Sequence, residues 1–382
     1  MKISIFTNYL NDHQLPIALA FRAMDDVEFA FVSLSANESS IGRANLNDEH
    51  PFVVRAYDGE SGAREAMRHA IEDDIVVFQH MDRREEYVRA RARAGKPFFR
   101  ASERLLKRGN WWRWAPPKMY RTWNWFTRYK HAEMRVLCVG GFVAGDLMRF
   151  GFPIDSCLKW AYFPRIEPMC TSERDFSLAR GVTICSVQNL IPCKRVDLQI
   201  KLAKRLKDAG VTFRLDIAGD GPERESLEAL AKELDVASEV RFLGALSRED
   251  VAALMCGSHL CLATSNRKEG WGCAVNEAMA CGCVLVASDA IGSVPFLVED
   301  GVNGFKFKSE SLDDLFEKVS SLLSAPDQLA RISGNAVAAT NDVWCAQVAA
   351  ERFVEYSKAW LRGDSVEYAF GPMSPCSAGE RK

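Results

Sequence analysis

The sequence predicts an α/β protein built from two open, parallel sheets, and three observations predict it. The chain has 382 residues, too many for one ordinary core; at roughly 150 residues per domain it divides into two lobes, or at most three. Short β-branched and aromatic runs alternate with segments of helical period, the pattern of parallel strands joined by crossover helices. The stretch from Tyr162 to Arg180 holds Pro164 and Pro168 and has no apolar periodicity, so it separates two such series as a linker.

Taken in order, the first series offers strands at Lys2 to Thr7, Glu28 to Ser33, Ile75 to Gln79, Pro97 to Ala101 and Arg135 to Val139. The second offers Val182 to Val187, Phe213 to Ala218, Val240 to Leu243, Leu260 to Ala263, Val284 to Ser288 and Gly304 to Phe307. After Val187, the residues Val196, Ile200, Ala203 and Leu206 make one helical stripe, and Gly210 supplies its stop. Near the end, Val343 to Leu361 reads as a strong helix, and Arg362 to Lys382 has little apolar content and is expected to fray. The expected domains are therefore 1–165, a linker 166–180, a second domain 181–342, a helix 343–361 that packs back on the first domain, and a flexible tail 362–382.

Composition excludes several classes. With 48% hydrophobic and 26% charged residues there is ample side chain to bury, so disorder and fibrous repeats are excluded. A net charge of -2 argues against a surface that binds nucleic acid throughout. No run approaches the roughly 18 apolar residues of a membrane span, and the opening MKISIFTNYL has Lys2 as its one charge and is interrupted at Asn8 and Asn11, unlike a signal peptide. A cytoplasmic location follows as the expectation. The 12 cysteines contain no CxxC, and the nearest cluster (Cys256, Cys261, Cys281, Cys283 with His259) lies in apolar segments; buried free thiols are expected and no metal site.

The segment Glu269-Gly-Trp-Gly-Cys-Ala-Val-Asn-Glu277 follows a strand and runs into a helix. Strand, glycine loop and helix make an anion site, because the first amides of a helix lack internal acceptors and glycine lets the backbone approach a ligand. The two carboxylates at either end suit a ligand with a hydroxylated group, a diphosphate and a ribose in line. Both glutamates flanking a helix start for electrostatic reasons alone is the alternative.

With Ile217-Ala-Gly-Asp-Gly-Pro222, Val240-Arg-Phe-Leu-Gly244, Ala287-Ser288 and Gly301-Val-Asn-Gly304, this segment resembles the nucleotide-sugar lobe of the family 4 retaining glycosyltransferases. The resemblance implies the GT-B fold, two Rossmann-like α/β domains facing across a cleft. It implies that Glu277 holds the ribose hydroxyls, and that Glu269, with the backbone of Gly270, Trp271 and Gly272, holds the donor sugar and phosphates. Lys194 matches the family's phosphate-binding lysine. The family has Gly-Arg where this chain has Gln188 and Asn189, so Asn189 stands on the nucleotide side and Arg195 is the candidate replacement cation. Gly219 and Gly221 would let a loop pass near the nucleotide, with Leu243 near the base; structural turns are the other reading. The third glycine of a dinucleotide fingerprint is absent, since Arg224 occupies its place.

In the first half, Phe6 to Pro16 is a strand, a polar loop and a helix start, and His13 is its candidate acceptor contact, resembling the NYLNxHQLP opening of transferases that build bacterial surface polysaccharides. His80, Arg100, Ser102 and Glu103 follow other strands and are further acceptor-side candidates. Between Arg100 and Arg135 stand ten Lys or Arg, two Glu and five of the nine Trp, which suits an anionic membrane surface and a lipid-linked acceptor, or else an ordinary helical hairpin. No Asp-x-Asp pair occurs, so no acidic metal clamp for a diphosphate is expected; the resemblance implies transfer from a nucleotide-sugar, UDP being the family's commoner choice, to a saccharide or lipid-linked saccharide, with no cofactor and no nucleic acid. A nucleotide-sugar epimerase, a phosphorylase-like enzyme and a non-catalytic sugar-nucleotide sensor remain the rival readings.

Overall fold

A computed structural model describes residues 1–36, 46–47, 49–79, 84–164 and 176–377. The chain divides into two compact units, Met1–Arg165 with Val343–Lys382, and Ile166–Asp342. Each unit is a parallel sheet with helices. Most of the stretch expected as a linker, and His80, lie outside the described residues.

The first unit contains β1 (Lys2–Thr7), β2 (Glu28–Ser33), β3 (Val53–Arg55), β4 (Ile75–Gln79), β5 (Phe98–Ser102), β6 (Met134–Val139) and β7 (Cys157–Trp160). They align in the order β3-β2-β1-β4-β5-β6-β7, and all pairs are parallel. The strands β1, β2 and β4 are near-continuous runs of buried residues, as expected of strands covered on both faces. The two strands the sequence does not signal, β3 and β7, are the edge strands, only three and four residues long, too short to carry a readable alternation.

The second unit contains β8 (Val182–Val187), β9 (Phe213–Ala218), β10 (Val240–Gly244), β11 (Leu260–Ala263), β12 (Val284–Ser288) and β13 (Phe305–Phe307), in the order β10-β9-β8-β11-β12-β13. The stripe Val196, Ile200, Ala203 and Leu206 is fully buried in the helix Val196–Asp208, which packs with Ile184, Ile217 and Leu260 in one core. Each of the larger side chains, Val196, Ile200 and Leu206, contributes about 1.5–3 kcal/mol on burial. Gly210 ends the turn after this helix with a φ of 73°.

The helix Ala346–Arg362 belongs to the first unit. Its Phe353 is enclosed by Phe21, Phe99 and Trp160, with ring centroids 5.4, 4.8 and 5.8 Å away. The tail corrects its expectation. Residues 373–376 pair with β7 instead of fraying: Met373 and Cys376 donate backbone hydrogen bonds to Lys159 and Cys157, Lys159 donates to Ser374, and Leu158 bridges Pro375 in antiparallel sense. An edge strand leaves backbone groups unpaired, and this segment satisfies them while burying Met373.

The cysteines follow a mixed course. Cys261 lies with Cys185 and Cys283, whose hydrogen bonds, then burial, hold its thiol well above the usual range. Cys256, expected as a free thiol beside them, is disulfide-bonded; it sits half-exposed at the end of its helix, outside that apolar layer.

Candidate functional site

In each sheet the strand order reverses once, between β1 and β4 and between β8 and β11. Crevices at the carboxyl ends of such strand pairs are where open α/β sheets bind ligands. In the second unit the two segments leaving β8 and β11 carry Lys194 and Glu269, and the structure brings those side chains together as an ion pair across 75 residues of sequence. Both are largely enclosed, at 18% and 16% side-chain exposure.

The surrounding polar groups hold this pair in place. Lys194 closes the short 3-10 turn Pro192–Lys194, and its carbonyl accepts a hydrogen bond from the Thr264 hydroxyl at 2.8 Å. The same hydroxyl accepts from the buried Gln199 amide, also at 2.8 Å. The Asn266 amide donates to the Cys193 carbonyl, so the loop after β11 is bonded twice to the loop after β8. Gln199, Thr264 and Asn266 were not singled out from sequence; the one available sign was a polar Gln beside the apolar stripe of its helix.

The glycine loop is fixed by close packing. The side chain of Trp271, whose backbone is the part expected at the donor, is turned inward: it is 1% exposed, and its indole nitrogen donates to Asn276 at 3.0 Å. Its role is to anchor the loop on the helix Cys273–Ala280, since an indole is buried best where its N–H finds a partner. A Cβ on Gly292 would lie 1.7 Å from the Gly270 carbonyl oxygen, so that position accepts glycine alone. Gly272 takes a φ of 83° and begins the helix Cys273–Ala280 with no side-chain cap and no acidic residue in the first turn. The Glu269 side chain lies beside this helix start: a Cβ on Gly272 would come within 3.4 Å of its Cγ and 3.9 Å of its carboxylate carbon. Glu277 sits half-buried on the same helix, a turn further in.

Other expected contacts are placed differently. Arg195 adopts a left-handed backbone conformation, and its guanidinium is committed to Asp197, at 2.9 and 3.1 Å, and to Glu310. These partners, the Asp197 hydrogen bond foremost, raise its pKa. It is a helix-start ion pair, not an open cation for a diphosphate. Gly219 and Gly221 face the backbone of Gln188 and Leu190, where added Cβ atoms would come within 1.9 and 2.4 Å of carbonyl oxygens. Their lack of side chains is required by the neighbouring loop. Leu243 lies half-buried at an irregularity in β10, and Asn189 is exposed beyond β8.

In the first unit His13 lies in the polar loop after β1, with its backbone N–H on the Asn11 side chain and its ring 6.4 Å from Tyr162. The Tyr162 hydroxyl donates to Glu103 at 2.8 Å, and Lys107 donates to the other oxygen of that carboxylate. His13, Tyr162 and Glu103 thus gather at the carboxyl ends of β1, β5 and β7; Tyr162 was missed because it follows an edge strand the sequence does not signal. Arg100 corrects its expectation: it is buried, bidentate to Glu85 at 2.8 and 3.1 Å, and stacks near Trp125 and Phe126. Ser102 donates to the Glu103 carbonyl. The basic aromatic belt forms a 3-10 turn, Asn110–Trp114, and a helix, Pro116–Trp125. Trp111, Trp114, Tyr120 and Trp123 are all exposed.

Among the described residues no helix is long and apolar enough to cross a membrane, and no group of His, Cys, Asp or Glu has the arrangement of a metal site.

Comparison with known proteins matches residues 175–338 to the family described as glycosyl transferases group 1. A D-inositol 3-phosphate glycosyltransferase from Mycobacterium sp. (strain KMS) is 33% identical over 146 residues, which is 38% of this chain and 33% of that protein. The match thus spans about a third of that relative's length. Among solved structures, Anabaena Alr3699/HepE in complex with UDP superposes with a TM-score of 0.71 at 18% identity, covering 94% of this chain and 100% of that one. The lipopolysaccharide outer core galactosyltransferase WaaB superposes with a TM-score of 0.68 at 16% identity, covering 94% and 100%. Both likenesses show the fold.

Proposed function

We infer, from a chain that has the GT-B fold and carries a glycosyl transferases group 1 domain at residues 175–338, a retaining glycosyltransferase. It takes a UDP-sugar as donor and a saccharide or lipid-linked saccharide as acceptor, in the synthesis of a surface polysaccharide at the inner face of the cell membrane. One observation carries this reading: Lys194 and Glu269 are joined at the strand-order reversal of the second unit, in the loop that leads to a helix N-terminus without a cap.

The chemistry proceeds from those groups. The amides of the Gly270 to Gly272 loop and the helix N-terminus receive the diphosphate, and the Lys194 ammonium stabilises the charge that develops on it as the sugar–phosphate bond loosens. Glu269 accepts hydrogen bonds from sugar hydroxyls while held by Lys194, and Glu277 takes the ribose diol. The acceptor hydroxyl approaches the face the phosphate leaves, and the departing phosphate takes its proton. With no Asp-x-Asp pair in the chain, fixed positive groups replace a divalent metal. His13, with Tyr162 and Glu103, contacts the acceptor in the first unit. The exposed Trp111, Trp114 and Trp123 among arginines suit the headgroup layer of an anionic membrane.

The Anabaena protein was also solved with UDP-glucose, and WaaB is a lipopolysaccharide outer core galactosyltransferase, which supports the donor and acceptor classes named. The test is incubation with a panel of nucleotide sugars and membrane-derived acceptors, with and without EDTA. Release of nucleoside diphosphate that depends on acceptor and survives EDTA is expected. Isomerisation of the sugar, or binding without release, would overturn the reading in favour of an epimerase or a sensor.

A further inference from the structure

Between the carboxyl end of β5 and the helix Pro116–Trp125 lies a cavity of about 320 Å³ that the donor chemistry does not use. Its cationic lining includes Lys107, Arg108, Lys118 and Arg121. The carboxylates nearby are already engaged: Glu103 accepts from Lys107 and Tyr162, Glu85 binds Arg100, and Asp146 accepts from the Leu105 and Leu106 amides. Lys118 and Arg108 have no ion pair among the described residues, so the cavity holds an excess of positive charge.

A second feature is independent of that charge. Thr122 lines the same cavity, is 1% exposed, and its hydroxyl has no hydrogen-bond partner among the described residues. A helical threonine ordinarily bonds back to a carbonyl one turn earlier, and this one does not. Five other buried hydroxyls, of Ser4, Tyr129, Ser186, Ser293 and Ser357, also lack a partner among the described residues, but of the six only Thr122 lines this cavity, where an acceptor atom of a ligand would satisfy it. The walls are aromatic, with the Arg108 guanidinium 4.9 Å from the Trp112 ring and that of Arg121 4.0 Å from the Trp125 ring. Such a cavity offers cations and a hydroxyl for an anion, and indole faces for a carbon skeleton.

We propose that this cavity binds a phosphate ester, with Lys118, Arg108 and the Thr122 hydroxyl on the phosphate oxygens and Trp112 and Trp125 against the organic group. That the ester belongs to the sugar acceptor rests on the glycosyltransferase reading; the anion site does not. The ester has two sources, a soluble phosphosugar and a lipid-linked phosphate, which share this chemistry. The full chain is titrated, by tryptophan fluorescence, with inorganic phosphate, with glucose 1-phosphate and with dihexanoyl phosphatidic acid below its micellar concentration. UDP affinity is measured on the same preparations.

Saturable phosphate binding is expected, weakened about tenfold or more by Lys118→Gln and by Arg108→Gln, and several-fold by the nearly isosteric Thr122→Val. UDP affinity should not change in these variants. Tighter binding of the lipid phosphate than of the sugar phosphate assigns the ester to a lipid-linked acceptor, and the reverse order to a soluble one. Phosphate affinity equal to wild type in Lys118→Gln and Thr122→Val overturns the site. Phosphate binding that persists in a chain unable to bind any nucleotide sugar overturns the glycosyltransferase reading and leaves the anion site standing.

Discussion

The Lys194 ammonium rests on the Glu269 carboxylate, so the two residues assigned to the donor's phosphate and to its sugar already constrain each other in the ligand-free chain. A lysine placed this way is held at a fixed point and is not a mobile surface cation, as the proposed contact with the donor phosphate requires. Lys194→Ala should lower kcat/KM by about 10²–10³-fold, the loss typical of one transition-state contact. Thermal stability should fall by only about 1 kcal/mol, because the pair retains some solvent. Steady-state nucleotide release and a melting curve check both; a rate within threefold of wild type would remove Lys194 from the chemistry.

Gly292 sits against the Gly270 carbonyl, so it shapes the donor loop without belonging to it. Gly292→Ala forces the loop to move, and should cost about 1–3 kcal/mol in urea unfolding as an overpacking change. UDP affinity should fall with it. Unchanged stability together with unchanged UDP affinity would mean that the loop is not held by this contact.

The Lys118 amine is held down to about 8, first by burial and then by Arg121, with Lys107 adding to the effect and Asp146 opposing it. Facing it are Arg121 from its own helix, Glu103, Arg104, Lys107 and Arg108 from the segment after β5, and Asp146 from the helix Val143–Met148. Anion binding needs the protonated amine, so sulfate, whose charge is constant, should bind well at pH 7 and weaken as pH rises through about 8 and beyond. The sign for stability is opposite. The folded value lies below the ordinary lysine value of 10.5, so the unfolded chain holds more protons in that window and the fold gains stability as pH rises. Lys118→Met should therefore raise Tm at pH 7 while abolishing sulfate binding. A Tm lowered at pH 7, or sulfate affinity flat from pH 7 to 9.5, would contradict the assignment.

The tail 373–376 serves as an added edge strand on β7. Removal of residues 363–382 uncovers that edge and takes away the buried Met373, and should lower the unfolding free energy of the first unit by about 2–4 kcal/mol. UDP affinity should stay unchanged, because the residues proposed to hold the donor lie in Ile166–Asp342. A truncated chain as stable as the full one would show that this pairing contributes nothing.

Much of the architecture was legible because parallel strands covered on both faces are continuous apolar runs, as in β4 and β12, and such runs stand out without any partner information. The short edges β3 and β7 were not legible, since three or four residues define no period, and the pairing of the tail with β7 is a long-range event that local composition does not encode. In the site, the Glu269 to Glu277 spacing could be read directly. The pairing of Lys194 with Glu269 could not, because it depends on β8 and β11 being neighbours. The commitment of Arg195 to Asp197 could not be read either, because a guanidinium next to a ligand loop has the same sequence signature whether it faces the ligand or braces the loop.

The central claim is that the second unit grips a nucleoside diphosphate through Glu277 and the loop ahead of it. Calorimetric titration of UDP into wild type and Glu277→Ala tests this most directly. The account predicts saturable binding to the wild-type chain and an affinity about tenfold or more weaker in the variant, at unchanged Tm, from the loss of charge-assisted bonds to the ribose. Equal affinity in the two chains, or no UDP binding by wild type, would contradict it.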